Sequence, residues 1–436
     1  MQKEKISFST ATSLVIANMI GTGVFTSLGF QVLDIKTGFA ILVLWIIGGV
    51  ISLCGALAYG EIGSTFPRSG GEYNYLSQIY HPVAGFLSGW VSATVGFAAP
   101  VALAAMALGT YSSKVFPDLN PTVLAISVVA ALTLIHSINL KVGSAFQRVF
   151  TYAKVFVIVL FLLAGFFYIP EHEFSFLPQD LSVTEIFSAP FAVSLIYVSY
   201  AYSGWNAASY IAGELDNPQK TLPKSLFIGT FVVMIIYVLL NFIFLYSVPI
   251  EELGGVIEVG YLSANKIFGP RIGNFMGLVI SFLLVSSISA MIMAGPRIIN
   301  AMGEDMYMLR FFAKKNKNNI PYIAILVQSL ITLILILTSQ FESVLTFVGF
   351  TLNLFTFFTV MGVFIIRKRK LGIEGGYKTW GYPVTPIIFL ALNAWMLFFV
   401  ITNKTKESLF GLLILVIGLG IYQIGKNYEK KNPESH

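Results

Sequence analysis

Ile20-Gly21-Thr22-Gly23 stands in the middle of an apolar stretch that runs from Phe8 to Phe30, and Ser203-Gly204-Trp205-Asn206 interrupts a second such stretch far downstream. A bilayer offers no water to backbone N–H and C=O groups, so an unwound segment at mid-depth survives only where it lines a cavity or binds something. Glycine permits the unwinding because it accepts dihedrals that other residues resist. A half-helix restarting at Gly21 to Gly23 presents free N–H groups, which favour an anion such as a substrate carboxylate. One Gly-x-Gly in a membrane helix reads as close packing. Two broken helices in one chain read as transport.

Composition supports a membrane class around these breaks. Hydrophobic residues fill 56% of the 436 positions, charged residues only 11%, and the mean hydropathy is +0.79, outside the range of a soluble domain of this length. Apolar spans of about 20 residues fall at 8–30, 38–60, 82–112, 122–139, 149–169, 184–212, 223–247, 272–300, 321–338, 342–366, 383–402 and 407–424. The chain is therefore expected to be an all-α integral membrane protein of twelve transmembrane helices, with the two breaks in the first and sixth. The first stretch is too long for a signal peptide and lacks a small-residue cleavage site, so it reads as a retained helix.

With the N-terminus placed in the cytoplasm, twenty of the 27 Lys and Arg fall inside, and Lys36, Lys114, Lys266, Arg271, Lys404 and Lys406 fall outside. This bias predicts that both termini are cytoplasmic, and a multi-pass protein of the plasma membrane is expected. It also explains the net charge of +6 without a nucleic-acid partner. Lys314 to Lys317 and Arg367 to Lys370 are expected to anchor the cytoplasmic side, with anionic lipid as a secondary contact. The single cysteine, Cys54, lies mid-helix and offers no disulfide to a partner subunit. His81, His136, His172 and His436 form no metal-binding spacing, and no Walker loop is present for ATP. No cofactor and no metal are expected.

Between the second and third helices the chain reads Ala58-Tyr59-Gly60-Glu61-Ile62-Gly63-Ser64-Thr65-Phe66-Pro67-Arg68-Ser69-Gly70-Gly71-Glu72-Tyr73. This loop resembles the signature of the amino acid-polyamine-organocation (APC) superfamily. It is joined by Ile20-Gly21-Thr22-Gly23-Val24-Phe25, by Tyr200-Ala201-Tyr202-Ser203-Gly204-Trp205-Asn206, and by Gly213-Glu214-Leu215-Asp216-Asn217-Pro218 with Leu222-Pro223. The resemblance covers roughly residues 8–370 and is strongest to the L-amino acid transporter branch of amino acid permeases.

That resemblance implies a 5+5 inverted repeat, residues 8–170 carrying helices one to five and 183–367 helices six to ten, with two peripheral helices over 383–424 and cytoplasmic tails. It implies that a substrate carboxylate meets the N–H groups of Thr22, Gly23 and Val24. The amino group meets carbonyls at Ile20 and along Tyr200, Ala201, Tyr202 and Ser203, with Gly21 and Gly204 at the two breaks. An α-amino acid carries both charges, and two broken helices offer donors at one half and acceptors at the other. Tyr200 matches the aromatic gate of the family, although a buried packing aromatic is the plainer reading. Asn206 either belongs to the site or satisfies unwound backbone.

Lys154 lies inside the fifth helix, where a charge costs several kcal/mol unless paired or hydrated. Snorkelling to the interface is the plainer alternative. In sodium-independent members of the family a lysine here takes the space of a sodium ion, and hydroxyls of Ser286, Ser287 and Ser289 would face it. Transport is then expected to be sodium-independent, and proton-linked if Lys154 titrates.

Acidic residues are confined to span ends, such as Glu61 and Glu214, so cationic substrates fit poorly and a neutral L-amino acid is expected. Three positions depart from the pattern of the family: Ser203 in place of glycine, Ser289-Ala290 in place of Asn-Gly, and Pro296, expected to kink the eighth helix. The loop near Pro117 to Pro121 lacks the cysteine that links animal members to a heavy subunit, so none is expected. The expected activity is that of a secondary carrier, an exchanger or proton-linked, and not an enzyme. A non-transporting amino acid sensor and a permease for another small amine-containing substrate are the alternatives.

Overall fold

In a computed structural model, residues 5–138, 141–170, 176–318 and 320–431 are described, without the side chains of 141–149, 151 and 429–431. Lys3, His172 and His436 lie outside these residues, as do the side chains of Lys141, Arg148, Lys430 and Lys431. The described chain is helical, and its only strand-like feature is a single parallel bridge between Ile6 and Leu215.

The first span is divided into α1 (Phe8–Met19), α2 (Gly23–Thr26) and α3 (Leu28–Gln31). Next come α4 (Gly38–Thr65), the loop helix α5 (Glu72–Ile79), α6 (Pro82–Val91), α7 (Ala98–Val115), α8 (Pro121–Ile138) and α9 (Lys141–Phe167). A π-helical turn over Ser92–Gly96 joins α6 to α7 and makes the third span bulge where the sequence pattern reads as one long helix. The sixth span is α10 (Asp180–Ile186) and α11 (Ala189–Tyr202), followed past the break by a 3₁₀ stretch over Ala207–Glu214. The remaining helices are α12 (Pro218–Ser247), α13 (Ile250–Leu253), α14 (Val259–Phe268), α15 (Pro270–Asp305), α16 (Tyr322–Thr338), α17 (Phe341–Lys368), α18 (Val384–Asn403) and α19 (Thr405–Lys431).

Among the described residues nine helices are long and apolar enough to cross a membrane, or ten when the pair bent by 66° over 180–214 counts as one span. The shorter apolar helices Tyr152–Phe167 and Tyr322–Thr338 fall at the fifth and ninth expected positions. Contrary to expectation, α15 runs unbroken through Pro296. One turn before the proline, the Met291 carbonyl accepts from Gln328 Nε2 at 3.1 Å.

The core is a set of long helices in which α4 packs along α12, α7 along α15, and α1 along α12. The second half of the first span is tied to α14, because Tyr111 Oη donates to the Phe25 carbonyl at 2.9 Å and accepts from the Gly260 N–H at 3.0 Å. At the opposite end of α4, Glu61 accepts from Arg367 Nε at 2.9 Å, Arg367 Nη2 at 2.8 Å and the Thr379 N–H at 2.7 Å. The Arg367 guanidinium lies 3.6 Å from the centroid of the Tyr382 ring. Two-pronged contact with both carboxylate oxygens joins α4 to α17 and to the loop before α18.

Arg367→Ala leaves the Glu61 carboxylate, 6% exposed, without its counter-charge. The expected loss of stability is about 3 kcal/mol, read as a lower thermal melting temperature in detergent. Arg367→Lys recovers only part of it, since an ammonium does not span two oxygens in a fixed fork.

Candidate substrate site

The two breaks cross each other. A Cβ on Gly23 would lie 2.5 Å from the Ala201 Cα, so the restart of the first span abuts the end of α11. Gly204 has φ +97°, and a Cβ there would lie 2.8 Å from the Asn18 carbonyl oxygen. Each break therefore carries a glycine at a point of close backbone approach, and at Gly204 the positive φ calls for glycine as well. Gly21 differs, since its nearest neighbour to such a Cβ is the Met19 oxygen at 3.9 Å.

Backbone accounting identifies what is left for a ligand. Ile20 N–H bonds the Ile16 carbonyl and Phe25 N–H the Thr22 carbonyl, but the N–H groups of Thr22, Gly23 and Val24 meet no acceptor among the described residues. On the other side, the Tyr200 carbonyl accepts from the Ser203 N–H at 2.9 Å. The Ala201 carbonyl lies 3.2 Å from Tyr237 Oη, which also donates to the Met19 carbonyl at 2.5 Å. Two of the expected acceptors, at Tyr200 and Ala201, are thus already engaged. The carbonyls of Ile20, Tyr202 and Ser203 carry no partner among the described residues.

A cavity of about 50 Å³ opens at the crossing. Of the expected site residues, Ile20, Gly21, Thr22, Gly23, Tyr200, Ala201 and Ser203 line it. Thr22 Oγ1 and Tyr200 Oη lie 3.5 Å apart within it. Val24, Tyr202, Gly204 and Asn206 do not line it. Tyr202 turns its hydroxyl to the Trp45 carbonyl at 3.0 Å, and Asn206 Nδ2 donates to Glu72 Oε1 at 3.0 Å. Sequence reasoning misses Tyr237 and the lining residues Asn18, Pro100, Ala104 and Met291. Asn18 had a signal, being the one amide in an apolar helix, and Tyr237 had another, a hydroxyl in an apolar run that needs a partner.

Lys154 is 6% exposed and lines the same cavity, together with a second, apolar one bounded by Ile20, Phe25 and Ile280. Its Nζ donates to Ser287 Oγ at 2.7 Å. Of the three hydroxyls expected opposite it, only Ser287 is engaged. Ser289 Oγ is 2.8 Å from His136 Nε2, and Ser286 Oγ is buried without a partner among the described residues. Consecutive residues on a helix point about 100° apart, so one lysine cannot meet all three.

Gly21→Ala is expected to leave the melting temperature unchanged, whereas Gly23→Ala must displace Ala201 and costs about 1–3 kcal/mol. A bulky residue at Gly23 therefore tests packing before it tests binding. Tyr237→Phe strips the hydroxyl from two buried carbonyls and is expected to cost about 1–3 kcal/mol of stability, together with a weaker grip between α1 and α11. Melting curves of the three variants check these values.

The amino acid permease family profile matches residues 6–420. The chain is 28% identical over 440 residues to the large neutral amino acids transporter small subunit 2 of Mus musculus, covering 98% of this chain and 82% of that one. It is 28% identical over 428 residues to the serine/threonine exchanger SteT of Bacillus subtilis (strain 168), covering 96% of each. To the Asc-type amino acid transporter 1 of Mus musculus it is 25% identical over 444 residues, covering 98% of this chain and 82% of that one. With the crossed breaks and the matched length together, the chain belongs to the amino acid permease family of the APC superfamily, whose members are membrane transporters and not enzymes.

Proposed function

We propose that this chain is a secondary active carrier of neutral L-amino acids that works without sodium, by alternating access. The carrying observation is the pair of crossed breaks, with unpaired N–H groups at Thr22, Gly23 and Val24 and unpaired carbonyls at Ile20, Tyr202 and Ser203. The first set suits a carboxylate and the second an ammonium, and Ile20, Thr22, Gly23 and Ser203 line one cavity, which suits groups borne on one α-carbon. No Asp or Glu lines the cavity to hold a cationic side chain. Its small volume, with Pro100, Ala104 and Met291 on the walls, favours a small side chain, in keeping with Ser203 where the large-neutral branch often has glycine.

Lys154 takes the coupling position between the first span and α15, with its ammonium on Ser287. A sodium ion beside that fixed positive charge would be repelled in a medium of low dielectric, and this supports sodium independence. Exchange and proton-linked uptake both accord with the lysine. Twelve spans in a 5+5 inverted repeat, 8–170 and 183–367 with 383–424 peripheral, give the moving frame. Support for the repeat comes from the pairing of second with seventh span, α4 on α12, and of third with eighth, α7 on α15. The carrier works in the plasma membrane, and the basic bias already given supports both termini in the cytoplasm. The mouse relative is named a small subunit; here Cys54 is buried, and we infer a carrier that acts without a disulfide-linked partner. Basic Arg310 and Lys314, set over the rings of Tyr307 and Phe311, are placed to meet lipid headgroups.

Counterflow into proteoliposomes made in choline or potassium buffer tests the proposal. L-Alanine, L-serine and L-leucine are offered beside L-arginine. Accumulation of one or more neutral amino acids at the same rate with and without sodium, and none of arginine, is expected. A strict sodium requirement, or arginine as the preferred substrate, overturns it.

A further inference from the structure

Glu72 is a carboxyl with no cation. It opens the loop helix α5, outside the membrane spans, and is 4% exposed. Tyr59 Oη donates to its Oε1 at 2.6 Å, and Asn206 Nδ2 donates to the same oxygen at 3.0 Å. Those two donors stand on different bodies. Tyr59 belongs to α4, while Asn206 follows directly on the break of the sixth span.

The surrounding contacts make this oxygen the centre of a latch. Gly70 N–H donates to the Tyr210 carbonyl at 3.3 Å, Gly213 N–H to Ser69 Oγ at 3.2 Å, and Tyr75 Oη to the Ser209 carbonyl at 3.5 Å. A Cβ on Gly71, at φ +54°, would lie 2.7 Å from the Tyr210 ring. Loop 69–75 is thus fastened to the whole stretch 206–213 that carries the sixth span away from the cavity. All of the other fastenings are neutral. Glu72 alone holds a group whose charge changes with pH.

The groups that face it are Tyr59 from α4, Tyr75 from its own helix, and Asn206 and Tyr210 from the stretch beyond the break. Nothing ionisable stands on α6 between Pro82 and Val91. The near end of α17 brings Arg367, which is spent on Glu61, and Arg369 of the following loop donates to the Ile79 carbonyl. An ionised carboxylate in this place has two hydrogen bonds and no counter-charge, which a buried site tolerates poorly.

We propose that Glu72 is a proton-binding site of the carrier, and that its protonation fastens loop 69–75 to residues 206–213 and so holds the inner half of the sixth span shut. The proposal rests on the transport reading for what the latch gates. Burial pushes the Glu72 carboxyl up to about 7, against the pull of the Tyr59 and Asn206 donors. Opening would hydrate the carboxyl and return it toward the ordinary carboxylate range. The closed latch therefore binds the proton more tightly than the open one. By linkage, acidification from about pH 7 downward favours closure by up to about tenfold per pH unit, and alkaline conditions remove that preference.

The test is hydrogen–deuterium exchange of the full chain in lipid nanodiscs between pH 5.5 and 8, corrected for intrinsic exchange and read on peptides covering 203–214. Wild type is expected to gain protection in that stretch as pH falls below about 7. Glu72→Gln, permanently neutral, is expected to be protected at every pH with a flat profile. Tyr59→Phe removes a donor that favours the ionised form, and is expected to shift the midpoint to higher pH. If Glu72→Gln does not fold, the direction of the Tyr59→Phe shift decides. A pH-independent wild type, a Glu72→Gln profile that follows wild type, or an unmoved Tyr59→Phe midpoint overturns the proposal. Because exchange needs no substrate, its outcome is separate from that of the counterflow assay.

Discussion

Tyr237 places one hydroxyl between the carbonyl of Met19, at 2.5 Å, and that of Ala201, at 3.2 Å. Both carbonyls belong to the ends of helices that stop in the middle of the protein, where no bulk water could satisfy them. A break in a membrane helix is tolerable only to the extent that its freed backbone groups are met. Here α12 meets one on each side with a single proton donor. Having a helix packed along α4 and α1 supply that donor fixes the two breaks against each other and leaves a small, defined remainder unpaired. That remainder, which includes the N–H groups of Thr22, Gly23 and Val24 and the carbonyls of Ile20, Tyr202 and Ser203, is what the described residues offer to a ligand.

Charge is placed with similar economy. The chain keeps its acids at the ends of spans and puts one lysine inside, bonded to Ser287 and lying between two cavities. Glu61 is met by Arg367 in a two-pronged pair that ties the second span to the tenth. Glu72 is met differently, a buried acid held by a hydroxyl and an amide side chain with no cation beside it. A paired acid fixes geometry across a wide pH range, whereas an unpaired one makes its geometry depend on protons.

Much of this architecture is readable from residue order. Twelve apolar stretches of the right length, the glycines in the first and sixth, and the lone lysine all follow from the cost of polar groups in hydrocarbon, which acts locally along the chain. Among the described residues nine or ten membrane-length helices and two shorter ones fall at those positions. What is not readable is which groups meet across the fold. Nothing near position 237 says that its hydroxyl reaches residue 19, and nothing near 289 says that a histidine 153 residues away would claim that serine. Pro296 misleads for a related reason, because α15 continues through it and a side chain from another helix, Gln328, meets a carbonyl in the turn before. Gly23 has two reasons to be glycine, and only the approach of Ala201 reveals the second.

The central claim is that one α-amino acid lies between the unpaired groups of the two breaks. An experimental structure with bound L-serine or L-alanine measures it directly. The expected density places the carboxylate within hydrogen-bond distance of the N–H groups of Thr22, Gly23 and Val24, with the ammonium near the carbonyls of Ile20, Tyr202 and Ser203. A ligand bound with its ammonium toward Thr22 to Val24, or bound away from the crossing, would contradict it.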